Sequence, residues 1–250
     1  METSEFLLKV YGTLHGGYLS VTTLEKDGKA RTKWFDSGQL DEMAAYAVES
    51  GKTYNTYFGV NPRVKNLGEH LRGSNKDIAA VIGTYTDCDI KGDAHKEKNL
   101  PETKEELMAF LMSLPKVPTA IVESGNGIHT YWLFDEIYYI RNESDRVYAE
   151  RILKGWESFV KEEAFREYGW KFDSVSDLPR MLRAVGTLNH KTAELPVCKV
   201  TSFSENRFSP SDFDEYTSVQ PVKKSAGSTE TDSFALMGTG SGRDLIESCV

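Results

Sequence analysis

Cysteine is scarce in this chain of 250 residues. Cys88, Cys198 and Cys249 are odd in number and far apart, which excludes a disulfide framework and a zinc cluster. No apolar run approaches the roughly 18 residues of a membrane span. The opening residues Met-Glu-Thr-Ser-Glu are acidic and lack the basic-then-apolar form of a secretory signal. These absences predict a reducing, cytoplasmic location with no membrane partner. Excess positive charge is missing too: the net charge of −8 argues against a protein that coats nucleic acid non-specifically. It leaves room for a nucleic-acid enzyme, whose binding surface is local. The phosphate-loop pattern Gly-x-x-x-x-Gly-Lys-Ser/Thr of helicases is absent, as is any internal repeat.

What is present suffices for a core: 39% of residues are hydrophobic and 27% charged, enough for one large domain or two small ones. Residues 6–12 and 18–24 read as two strands joined by a turn at His15-Gly16-Gly17. Leu40, Met43, Ala44, Ala47 and Val48 recur at helical spacing over 38–50, and Gly51 reads as the helix C-cap. Strands follow at Thr56–Val60 and Ile78–Ile90. Thr103-x-x-Glu106 is a capping box opening a helix that Pro115 ends. Thr119–Glu123 and Thr130–Phe134 read as strands, 144–168 as the longest helix, and Ser209-Pro210-Ser211 as the start of a short one. From Pro221 the composition shifts to Ser, Thr, Gly and Lys without a period. Residues 1–220 are therefore expected to form the domain, and 221–250 a linker or tail. Strands mixed with helices give an α+β class.

Three stretches carry chemistry. The strand at 81–89 ends in Asp87-Cys88-Asp89. With a period of 2, both acids face one way and Cys88 faces the core. Like charges held side by side call for a partner, most often a divalent cation with oxygen ligands. Ser124-Gly125-Asn126-Gly127-Ile128-His129 combines a strong hairpin-turn signal with glycines that let backbone N–H groups approach a phosphate. His129 falls on the outgoing strand, within reach of such a phosphate. The third stretch runs from Phe172-Asp173 through Asp177, Arg180 and Arg183 to Gly186-Thr187-Leu188-Asn189-His190-Lys191. It offers a third carboxylate, and arginine forks suit a triphosphate. With Lys171 and Lys199 it forms a local basic cluster within an acidic chain.

In order and approximate spacing these stretches resemble the archaeo-eukaryotic primase superfamily, in its primase–polymerase branch found on plasmids, phages and other mobile elements. The stretch Asn55–Arg63 resembles the strand that precedes the acidic strand in that family, and the resemblance covers roughly residues 50–195. Ala184-Val185 departs from the family's frequent Val-Pro or Leu-Pro, which removes a rigid turn but no chemical group. The resemblance implies a two-lobed core in which an RRM-like antiparallel sheet faces a smaller α/β module. The acidic strand and the strand of the third stretch are expected to belong to the RRM-like lobe.

It further implies that Asp87, Asp89 and Asp173 bind two Mg2+ or Mn2+ ions, with Asp177 as the alternative third ligand. His129, Ser124, Gly125, Asn126 and Gly127 are expected to form the nucleotide pocket. Arg180, Arg183 and Lys191 are expected to hold the triphosphate or the template backbone. The implied activity is a DNA primase or DNA polymerase using NTPs or dNTPs on single-stranded DNA, with a primer and with a helicase region or protein as further partners. Its setting would be the replication or repair of a mobile element or prokaryotic genome. Two other readings use the same residues. One is a non-catalytic replication initiator, which has no need of three acids. The other is a metal-dependent nuclease, which has no need of the basic cluster.

Overall fold

The computed structural model describes residues 1–25, 28–92, 97 and 99–218. The expected tail at 221–250 and the exact end of the domain lie outside the described residues. The chain opens on a helix, α1 (Thr3–Tyr11), followed by β1 (Tyr18–Leu24), β2 (Ala30–Asp36), α2 (Leu40–Gly51) and β3 (Asn55–Gly59). Next come β4 (Ala80–Asp89), α3 (Lys104–Ser113), β5 (Ala120–Glu123) and β6 (Gly127–Tyr139). The described chain closes with α4 (Glu143–Tyr168), β7 (Met181–Arg183), β8 (Lys199–Phe203) and a 3-10 helix at Pro210–Ser218.

Two four-stranded sheets result, in the orders β2-β1-β3-β7 and β4-β6-β5-β8, and every pairing between these strands is antiparallel. The class is α+β, as expected. The sheet containing the acidic strand carries α3 and α4, and α2 packs on the other sheet. Two expectations about the strands need correction. The strand of the third stretch, β7, pairs with β3 through Tyr57↔Arg183 and Gly59↔Met181. It therefore belongs to the sheet opposite β4, so the two halves of the site come from different sheets.

The second correction concerns residues 6–12, which form most of α1 and its C-cap, Gly12. The buried side chains Phe6, Leu7, Val10 and Tyr11 follow a helical stripe rather than alternation. The N-cap Glu2 makes no side-chain cap bond, so the usual start signal is missing. Gly16 and Gly17, both at positive φ, form a helix-to-strand loop. That helix is a wedge between the sheets. The Phe6 ring meets Phe58 of β3 at 6.2 Å and Tyr131 of β6 at 5.8 Å, both edge-on. One hydrophobic core runs through both sheets by way of it.

The other helices form where the sequence places them, with differences at their ends. Thr103 caps α3 by accepting the Glu106 N–H, while the Glu106 carboxylate accepts the Glu102 N–H rather than closing the box on Thr103. On α4, Ile152, Trp156 and Val160 are buried, and Trp156 lies edge-on to Trp132 of β6 at 5.1 Å. Gly51 has a different role from the one its sequence context signals. Lys52, the true C-cap, is right-handed helical, so no left-handed residue ends α2. Glycine is needed at 51 because a Cβ there would lie 2.5 Å from Thr187 Cβ and 3.0 Å from its Cα.

That contact decides a sign. Helix propensity alone favours Gly51→Ala by about 1 kcal/mol. Forcing a methyl against the Thr187 backbone costs about 1–3 kcal/mol and should win. Urea unfolding of Gly51→Ala is expected to show a lower midpoint at an unchanged slope. A raised midpoint would mean that the 187 segment does not seat on α2.

Candidate functional site

The end of β4 presents the acidic pair. Asp87 lies opposite His129 in the β4–β6 ladder and Asp89 opposite Gly127. Both acids line one open cleft, while Cys88 between them is buried in the core. Gly127 is obligatory here, since a Cβ would lie 2.6 Å from the Cys88 carbonyl and 3.2 Å from Asp89 Oδ1. On the far side of the sheet Thr86 and Thr130 share a hydroxyl hydrogen bond of 2.6 Å across the same two strands.

The β5–β6 turn docks on the segment after β7. Asn189 Nδ2 donates to the Ser124 carbonyl at 3.0 Å, and the Asn189 N–H donates to the Pro196 carbonyl at 2.8 Å. Gly125 sits at φ 105°, where a Cβ would lie 2.8 Å from Asn189 Nδ2 and from Pro196 Cγ. The Lys191 N–H returns to Asn189 Oδ1 at 3.1 Å. The second and third stretches are thus interlocked.

Of the residues singled out in the sequence, Asp87, Asp89, Ser124, Asn126, His129, Asp173, Arg183 and Lys191 line this cleft. Gly125 and Gly127 shape the turn without lining it. Asp177 is turned elsewhere, with ion pairs to Arg180 at 2.5 Å and Arg72 at 3.7 Å. The Arg180 guanidinium is buried, donating to the carbonyls of Val175 at 3.0 Å and Ser174 at 3.3 Å. Arg183 is also buried, yet reaches the cleft. It donates to Asn55 Oδ1 at 2.8 Å and lies 5.1 Å over the Tyr57 ring. Tyr57 and Asn189 line the cleft as well, although the sequence alone gives them no site role. Their one sequence signal is position, inside Asn55–Arg63 and Gly186–Lys191.

Electrostatics at the site are dominated by like charge and burial. Burial, then Asp87 and Asp173, push the Asp89 carboxyl up to about 7, with Lys191 opposing. Burial holds the His129 imidazole below its ordinary value, against the pull of Asp87, whose Oδ1 lies 3.5 Å from Nε2. His129 Nδ1 and Asn126 Nδ2 are buried with no hydrogen-bond partner in the protein. Among the described residues, no three His, Cys, Asp or Glu side chains converge into a ready-made metal-ligand set. The donor chemistry nevertheless fits a hard divalent ion. All three acids offer oxygen, and the repulsion that raises Asp89 is what such a cation relieves.

No protein-family model matches the sequence, and no curated protein matches it. Among solved structures, the crystal structure of primase RepB′ matches at a TM-score of 0.50 and 11% identity, over 86% of this chain and 62% of that one. The chain thus spans less than two thirds of that structure's length. A crystal structure described as the catalytic domain of primase RepB′ in complex with initiator DNA matches at a TM-score of 0.48 and 12% identity, over 87% and 94%. The first match shows a shared fold: this chain has a primase-like fold. Among the described residues, no helix is long and apolar enough to cross a membrane.

The raised Asp89 carboxyl has a consequence for stability. The folded state holds this proton more tightly than the unfolded chain, so stability is lost as pH rises from about 4 to about 7. Asp89→Asn removes that loss. In chelator, the variant is expected to gain about 1–3 kcal/mol on the parent between pH 4 and pH 8. Denaturant midpoints for the two proteins at both pH values check this, and a difference independent of pH would contradict it.

Proposed function

We propose that this chain is a template-dependent nucleotidyltransferase, a DNA primase or DNA polymerase that uses NTPs or dNTPs on single-stranded DNA. One observation carries the reading: a cleft on a primase-like fold lined by Asp87, Asp89 and Asp173 together with Arg183, Lys191 and two unpartnered buried polar atoms. A binding module has no need of three mutually repelling acids, and a nuclease has no need of the facing cations.

On this reading Asp87, Asp89 and Asp173 would hold two Mg2+ or Mn2+ ions. When bound, such ions supply a lowered pKa at the attacking hydroxyl and charge neutralisation at the leaving pyrophosphate. The protein's own groups do the rest. Arg183, fixed by Asn55 and Tyr57, is preorganised to meet phosphate oxygens without moving. Lys191, exposed at the rim, adds a further positive point charge. With His129 Nε2 turned to Asp87, Nδ1 donates to a phosphate oxygen only in the imidazolium form. An incoming triphosphate favours that form by its charge, against the burial that now disfavours it. Asn126 Nδ2 offers a second, uncharged donor. Holding the triphosphate in line with the attacking oxygen is the main catalytic contribution expected of such a site. The partners on this reading are a template, a primer and a helicase region or protein, and the location is the cytoplasm.

The test is incorporation of labelled NTPs or dNTPs on unprimed and primed single-stranded templates, with Mg2+ or Mn2+. Replacing both acids, as Asp87→Ala with Asp89→Ala, should lower incorporation at least about 1,000-fold, a loss of ~4 kcal/mol of transition-state stabilisation. Circular dichroism of the variant should match the parent. Extension at the parental rate by the double variant would overturn the assignment. Hydrolysis of nucleic acid without nucleotide incorporation would favour the nuclease, and DNA binding without either would favour the initiator.

A further inference from the structure

The segment that carries Asp173 lies between α4 and β7 and forms neither helix nor strand. An irregular segment beside a core must satisfy its backbone polar groups from elsewhere. Here two buried charged side chains do so. Glu157, on α4, is 4% exposed, and its carboxylate accepts the Val175 N–H. Arg180 donates through Nε to the Val175 carbonyl at 3.0 Å and through Nη2 to the Ser174 carbonyl at 3.3 Å. The two backbone polar groups of Val175 are thus pinned from two sides by opposite charges. Asp173 is only two residues away, so its Cα lies within about 7 Å of a fixed point. Glu157 also acts electrostatically on Cys88 and Tyr85 of β4, which places it behind the acidic strand.

We propose that Glu157 and Arg180 are positioning residues that clamp Val175 and so present Asp173 to Asp87 and Asp89. The inference rests on the proposed reading of those three acids as metal ligands. A buried carboxylate is a costly way to satisfy one N–H if fold stability is its whole purpose, since an uncharged acceptor would serve. A charge-assisted bond holds its geometry more tightly. Arg180 is thereby given a task inside the loop, leaving Arg183 and Lys191 as the cations that face a triphosphate.

The test is Mn2+ binding to the full chain without nucleotide or template, followed by loss of the free-ion electron paramagnetic resonance signal. Glu157→Ala is expected to weaken binding by about 10-fold or more, the usual effect of losing a group that orients a ligand. Glu157→Gln keeps an oxygen for the Val175 N–H but loses the charge, and its Mn2+ affinity should fall between those of the parent and Glu157→Ala. Ile152→Ala, buried on the same helix, should lower the unfolding temperature without changing Mn2+ affinity. Should Glu157→Ala fail to fold, Arg180→Lys breaks the other half of the clamp and should weaken binding to a similar degree. Parental affinity in Glu157→Ala or in Arg180→Lys overturns the clamp, as does equal weakening by Ile152→Ala. A parent chain that binds no Mn2+ overturns the metal reading itself, and the clamp with it.

Discussion

The arrangement of the two sheets depends on one buried cation. Arg63 is fully buried, and its guanidinium donates to the carbonyls of Arg72 at 3.0 Å, Pro179 at 2.8 Å and Asn61. Burial pushes its pKa down to about 10, so it stays charged at neutral pH. Its backbone exchanges two hydrogen bonds of 2.8 Å with Tyr18 at the start of β1, and the Pro62 carbonyl accepts the Ala79 N–H just before β4. A desolvated charge satisfied only by main-chain oxygens tolerates little displacement of any of them. Asn61 extends the junction, accepting the Ile82 N–H of β4 and donating to the Leu178 carbonyl. Gly59 has no Cβ because Arg63 and Ser20 occupy that space. The turn between the sheets, the start of the acidic strand and the approach to β7 are therefore one connected polar joint.

The cleft is a consequence of that joint. The acidic pair comes from one sheet, while Tyr57 and Arg183 come from the other. Their spacing is fixed by how the sheets are held, not by any one element. Within the cleft the protein keeps groups that repel or lack partners: an Asp89 carboxyl raised to about 7, an orphaned imidazole nitrogen and an orphaned amide. A chain that has rigid joints nearby can carry such local conflict, and conflicts of this kind concentrate where a ligand resolves them.

What could be read in the sequence follows from whether its cause is local. The acidic strand, the hairpin after Glu123 and helices α2, α3 and α4 are written in periodicity, caps and turn residues within a few positions. The first helix is nine residues long and lacks a cap bond, so its apolar run reads equally as a strand. Assigning β7 to its sheet requires a three-residue pairing with Tyr57–Gly59, more than a hundred positions away, and nothing local encodes it. The Arg180-x-x-Arg183 spacing marks basic residues but not their direction. Burial turns one toward Ser174 and Val175 and the other toward Asn55 and Tyr57. Glu157 sits in a helix rich in exposed acids, and only burial distinguishes it.

The charge lining the cleft bears on how a substrate enters. Asp87, Asp89 and Asp173 face Arg183 and Lys191, three acids against two permanent cations, and His129 is held toward neutrality by burial. With Asp89 raised to about 7 and so only partly ionised at neutral pH, a bare triphosphate would meet a cleft with no net positive charge, and the chain as a whole, at −8, offers no compensating field. On the proposed reading two elements would reverse this balance: divalent cations held by the acids, and protonation of His129 in the presence of phosphate. Affinity would then depend on divalent cation concentration more steeply than on monovalent salt, because few protein cations are available for counterion exchange. The acidic character of the chain is thus compatible with a polyanionic substrate, provided that the positive charge is delivered rather than built in.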